Sequence, residues 1–158
     1  MALLSKGDTL RQQDRCEEAI AVYDEVVRRF GEATEAELRE PVADAFNSIG
    51  FSLLCTAKKI WKDKNEPAAI VLLSQALKKI EVALQRKPDE PIFLGNQGYI
   101  LFLLGRHDEA RLILNKAIAL GGEELRQAEL SDADIHSLPQ DEAFRALIQS
   151  LGVGQINN

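Results

Sequence analysis

The stretch Gly98-Tyr99-Ile100-Leu101-Phe102-Leu103-Leu104-Gly105-Arg106-His107-Asp108-Glu109-Ala110-Arg111-Leu112-Ile113-Leu114 has a near-twin at the start of the chain. Gly7 is followed twelve residues later by Ala19 and four further on by Tyr23, as Gly98 is followed at the same distances by Ala110 and Leu114. The text around the alanines agrees. Cys16-Glu17-Glu18-Ala19-Ile20 aligns with His107-Asp108-Glu109-Ala110-Arg111, and each block follows a polar or glycine-containing turn, Gln12-Gln13-Asp14-Arg15 or Gly105-Arg106. A glycine and an alanine at that separation let two antiparallel helices meet backbone to backbone, so the spacing predicts stacked helical hairpins.

A middle copy lies between them. Phe46, Ile49, Gly50 and Leu53 fill the first-helix positions, and Ala76, Ile80, Ala83 and Pro88 fill the second-helix positions. With these three copies, most of residues 1–122 resembles the tetratricopeptide repeat family, whose signature sets an aromatic, Leu-Gly and Tyr on one helix and Ala, an aromatic and a closing Pro on the next. The third copy departs by carrying Leu94 and Gln97 where the pattern has an aromatic and Leu, and Gly31 and Gly122 replace the closing Pro. The resemblance implies an all-α fold: a right-handed superhelical stack of three such hairpins, the middle one elongated, plus a C-terminal capping helix. The expected division is 1–33, 34–90 and 91–122 for the repeats, 123–151 for the cap and 152–158 for a loose tail within a single domain.

Two irregularities stand out. Gly50 to Ala76 is 26 residues rather than 12, so about two further turns are expected on each helix of the middle hairpin, which should then project. Ile49, Leu53 and Ile60, then Ile70, Leu73, Leu77, Ile80 and Leu84, recur at helical steps, with Asn65-Glu66-Pro67 as the cap between them. Thr34-Glu35-Ala36-Glu37 reads as a capping-box start of an early helix, kinked at Pro41. After Leu120, Gly121-Gly122 breaks the helix, Glu123 to Leu130 reads as a short helix, and Ser131 to Pro139 as a turn-rich connector. Phe144, Leu147, Ile148 and Leu151 follow at helical spacing as the cap.

No enzyme is expected. The pattern marks no nucleophile with its base and orienter, and Gly121-Gly122 and Gly152-Val153-Gly154 lack the context of a phosphate loop. No cofactor is called for. Cys16 and Cys55 sit in different repeats without support for a bridge, and with only His107 and His136 beside them a zinc site lacks ligands. The Asp132, Asp134, His136 cluster reads as a solvated connector rather than a metal site. Two free thiols suit a reducing cytoplasm, and no apolar run has the length of a membrane span. Met1 already falls in the first repeat, so the chain is either a short protein or a piece of a longer array.

What remains is surface. In the family the first helix of each hairpin lines a concave groove. The residues stepping away from the packing set are Leu4, Asp8 and Arg11 on the first copy, Asp44, Asn47, Phe51 and Leu54 on the second, and Ile92, Gly95, Tyr99 and Phe102 on the third. This strip is either an open groove for an extended peptide or amphipathic helix, the reading adopted, or core covered by the C-terminal helix. Some relatives hold a partner's terminal carboxylate with Lys, Asn and Arg on these faces. Here Arg11, Asn47 and Asn96 stand beside Asp8 and Asp44 with no Lys, which disfavours such a clamp and fits an apolar or basic segment.

The net charge of −6 hides a division into −5 for residues 1–57, +5 for 58–87 and −6 for 88–158. Lys58, Lys59, Lys62 and Lys64 gather around Trp61 near the long hairpin's tip. A solvated tip is the default, and docking to an acidic partner or the acidic end of a second copy is the alternative. Nucleic acid is disfavoured by a pI near 5.0. The sequence therefore leads to a non-catalytic adaptor for a protein or peptide. Its rivals are a self-assembling structural protein, which would be a homo-oligomer, and a small secretion-type chaperone, the latter by analogy of fold and size alone.

Overall fold

The computed structural model describes residues 1–152, and the rest of the expected tail lies outside the described residues. Seven helices are described: α1 Ala2–Gln12, α2 Cys16–Phe30, α3 Ala36–Lys62, α4 Glu66–Arg86, α5 Pro91–Leu103, α6 His107–Asp134 and α7 Asp141–Ser150. They pack as sequential antiparallel pairs, α1 on α2, α3 on α4 and α5 on α6, with α2 against α3 and α4 against α5 joining the pairs into an all-α stack.

Local chemistry sets the ends. Asn65 accepts a hydrogen bond from the Ala68 amide at 3.3 Å, and Pro67 occupies the first turn of α4 where its missing N–H costs nothing. Glu17, Glu18, Asp108 and Glu109 place negative charge at the starts of α2 and α6, beside the unpaired amides of the first turn. The early helix does begin near Thr34, but the expected capping box is absent: the N-cap is Glu35, with no side-chain cap bond, and α3 runs on through Pro41. At Gly122, φ is 64° and ψ is −153°, a conformation that side chains other than glycine's resist, and the chain bends there. The second arm of α6 continues past Leu130 to Asp134, taking in part of what reads in sequence as connector.

The repeated glycines do something more specific than bring backbones together. A β-carbon on Gly7 would stand 2.7 Å from Tyr23 Cζ, one on Gly50 2.7 Å from Ile80 Cγ1, and one on Gly98 2.6 Å from Leu114 Cδ2. In each pair the glycine is a seat for the large side chain four residues beyond the buried alanine, Ala19, Ala76 or Ala110.

The middle hairpin is longer on its turn side, as expected, but its extension is not free. Lys58 is 1% exposed, Lys59 reaches Asp14 at 2.9 Å, and Trp61 lies half-buried against the core. Lys58 therefore does not belong to a basic tip. It follows Asn47, Phe51 and Leu54 at helical spacing, so it shares their inward face.

Gly98→Ala should lower stability, since overpacking costs about 1–3 kcal/mol against about 1 kcal/mol or less regained in helix propensity. Combining it with Leu114→Ala should cost less than the two single changes added together. Urea melts of the four proteins test this, and an unchanged midpoint for Gly98→Ala contradicts the seat.

Candidate functional site

The first helices of the pairs, α1, α3 and α5, and the second arm of α6 enclose a groove. One cavity in it, of about 210 Å³, is lined by Arg11 from α1, Asn47, Ser48 and Phe51 from α3, Ile92 and Asn96 from α5, and Leu125, Ala128, Glu129 and Asp132 from α6. A second, of about 280 Å³, adds Leu4, Asp8, Asp44, Lys87 and Glu90. A third, of about 250 Å³, runs between Glu90, Pro91, Gly121 and Glu124. Ile92 borders all three.

Of the residues read from the sequence as groove, Leu4, Asp8, Arg11, Asp44, Asn47, Phe51 and Ile92 line these cavities. Leu54, Tyr99 and Phe102 do not. All three are buried in the core, Tyr99 and Phe102 because α7 closes over that end of the strip. Phe144 stacks on Tyr99 with ring centroids 4.2 Å apart and meets Phe102 edge-on at 5.3 Å. The covered-core alternative thus describes these three positions.

Beneath α7 lies a buried ionic cluster. Lys58 Nζ is 3.1 Å from Asp141 Oδ2, donates to the Tyr99 hydroxyl at 2.6 Å, and reaches the Asp132 and Ala133 carbonyls. Asp141 accepts in turn from the Tyr99 hydroxyl and from the Leu138 amide at 2.7 Å. Burial lowers the Lys58 ammonium from its ordinary range against the pull of Asp141, and burial with the Asp141 bond pushes the Tyr99 phenol up. Each charge is partnered, so the cluster fixes α7 to α3 and α5.

The groove's own polar groups are less complete. Asn96 Nδ2 donates to Asn47 Oδ1 at 2.9 Å. Arg11 lies 5.1 Å over the Phe51 ring and 3.9 Å from Asp8. Glu129, 1% exposed, has an Oε2 without a hydrogen-bond partner. Its carboxylate presses on the α5 backbone, where a β-carbon at Gly95 would stand 2.9 Å from Glu129 Cδ. Burial, and then the neighbouring Asp132, hold this carboxyl well above the usual carboxylate range. Asp132 is itself raised to about 6 by burial, with Arg11 and Lys58 opposing.

Glu129 is a functional candidate that the sequence reading passes over, and Asp132 one that it assigns to a solvated connector, since it ends that helix at Leu130. The signal was present: Leu125, Ala128, Glu129 and Asp132 recur at three- and four-residue steps.

Elsewhere, Lys59 and His136 both meet Asp14, and Asp134 pairs with Arg145 at 2.6 Å, which leaves Lys62 and Lys64 as the exposed lysines of the hairpin turn. Among the described residues no group of three or more His, Cys, Asp or Glu is placed to hold a metal, and no helix is long and apolar enough to cross a membrane. Cys16 and Cys55, distant in sequence, meet in the fold. Both are free and buried, and the interaction between their thiols lowers Cys16 to about 7 and, with burial, pushes Cys55 up.

A stack of antiparallel helix pairs, with glycine seats inside each pair and a groove along the leading helices, defines a helical repeat protein. Residues 73–124, from within α4 to just past the bend in α6, match the family model described as tetratricopeptide repeat. Over that segment the chain carries a tetratricopeptide repeat. Such repeats are typically non-catalytic modules for protein–protein interaction. No curated protein matches the chain.

Two outcomes follow from the titrating groups. A carboxyl raised in the folded state adds stability only below its unfolded value and loses it as pH rises through the folded one. Glu129→Gln should therefore melt higher than the wild type at about pH 7 and lose that advantage near about pH 4. A constant difference across that range, followed by circular dichroism, contradicts the assignment. Iodoacetamide should modify Cys16 before Cys55, with a rate that climbs as pH passes about 7. Peptide mapping by mass spectrometry reads this, and preferential labelling of Cys55 opposes it.

Proposed function

We propose that this chain is a non-catalytic adaptor that holds a peptide or a helix of a partner protein in the groove between α1, α3, α5 and the second arm of α6. The observation that carries this reading is Ile92: it is 54% exposed, yet stands where three adjoining cavities meet. An exposed aliphatic side chain on a concave wall rimmed by polar groups is what a partner's apolar side chain would cover. A helix and a short extended strand are the two forms that such walls take up. Self-assembly through the long hairpin draws less support, because Lys58 is buried and Lys59 already faces Asp14.

Ile92→Arg should abolish recovery of the partner in affinity purification followed by mass spectrometry while leaving the far-ultraviolet circular dichroism unchanged. Recovery of the same partner by both proteins would contradict a groove site. Tyr99→Ala and Phe102→Ala should behave differently, each costing about 3–5 kcal/mol of stability as a truncated core aromatic.

A further inference from the structure

We propose that the groove selects partner segments carrying a lysine or arginine whose charged end pairs with Glu129, flanked by an apolar residue seated on Ile92. This inference rests on the groove being the partner site and adds the chemistry it reads.

Three observations converge on it. Glu129 is almost wholly buried, lines the central cavity, and keeps an oxygen with no partner inside the protein. Burying a carboxylate without a hydrogen-bonding counterpart is costly, and packing alone would be served by Leu or Met at that position. The group is also held in place, since Gly95 removes the β-carbon that would otherwise meet it. A carboxyl group with a fixed position and an unpartnered oxygen is suited to receive a cation brought by a ligand, whose charge would favour the ionised form.

The surrounding charge points the same way. The three adjoining cavities are lined by Asp8, Asp44, Glu90, Glu124, Glu129 and Asp132. The bases that line them, Arg11 and Lys87, already face carboxylates: Arg11 lies 3.9 Å from Asp8, and Lys87 lies 3.7 Å from Asp44 and 3.3 Å from Glu90. The groove therefore has acidic capacity beyond what its own bases meet, and a positively charged segment is its electrostatic complement. Continuity favours a chain over a small amine: the cavities share Ile92, with Asn47 on one side and Leu125 on the other. In the Asn47–Asn96 bond each side chain uses only one half of its amide, Asn47 its carbonyl and Asn96 its NH2. The opposite halves suit a peptide main chain passing over them.

The test is selection from a displayed library of short random peptides against the folded wild type, Glu129→Gln and Ile92→Arg. Enrichment of Lys or Arg at one fixed position with the wild type, lost with Glu129→Gln, is expected. For a selected peptide synthesised with a fluorescent label, replacing that basic residue by norleucine should weaken binding at least about tenfold. The same replacement should matter little against Glu129→Gln, which is the signature of a direct pair. Peptides selected by the wild type without any fixed basic position, or equally by Glu129→Gln, would overturn the Glu129 assignment while leaving the groove standing. Selection no better with the wild type than with Ile92→Arg would overturn the groove, and the inference with it. Retained helical content in the variants, read by circular dichroism, keeps loss of fold from being mistaken for any of these results.

Discussion

Each hairpin of this protein is held at its contact distance by one glycine opposite one large side chain: Gly7 under Tyr23, Gly50 under Ile80, Gly98 under Leu114. Because interiors are packed like organic crystals, a seat shaped by a missing β-carbon fixes both the separation and the register of the two helices. The alanine one turn earlier, fully buried in each case, keeps the adjoining layer equally thin. With the pairs set in this way, the leading helices α1, α3 and α5 fall side by side and present one face to the groove. Tyr23 shows how the seat is linked to that face, since its hydroxyl donates to Asp8 at 2.7 Å, and Asp8 lines the wall.

The far end of the stack reshapes that wall. After the bend at Gly122, the second arm of α6 lies along α5, with Gly95 admitting Glu129, and α7 then covers Tyr99 and Phe102. A strip that would run the length of three hairpins is thereby divided into a buried end under α7 and an open stretch around Ile92. Lys58 marks the boundary. Its ammonium ties α3 to the start of α7 and to the last carbonyls of α6, so the closed end is held by charge as well as by stacked rings.

Much of this is legible in the residues. The Gly, Ala and large apolar spacing carries the helix pairs, Asn65-Glu66-Pro67 carries the turn of the long hairpin, and Gly121-Gly122 carries the bend. These features are local, which is why a pattern of a few residues suffices for them. Tyr99 and Phe102 are different: whether an aromatic face is groove or core depends on what the chain does some forty residues later. Lys58 is an intermediate case. Charge alone suggested a solvated tip, whereas stepping four residues beyond Leu54 places it inward, and only Asp141 explains how it remains there. Cys16 and Cys55 likewise meet through tertiary packing that their separation in sequence conceals.

Lys58 and Glu129 are equally buried and opposite in sign, and the difference between them separates scaffold from site. Lys58 has a carboxylate, a hydroxyl and two carbonyls around its ammonium, so its charge is consumed within the fold, and removing a partner would strand it. Glu129 has an acidic neighbour, an unpartnered oxygen and a wall position in the central cavity. A fold under pressure for stability alone tends to lose such a group, because most replacements would relieve its desolvation. In the proposed role its counterpart comes from a partner segment, and the side chains lining the same cavity, Asn47, Asn96 and Ile92, would provide the polar and apolar contacts that orient it.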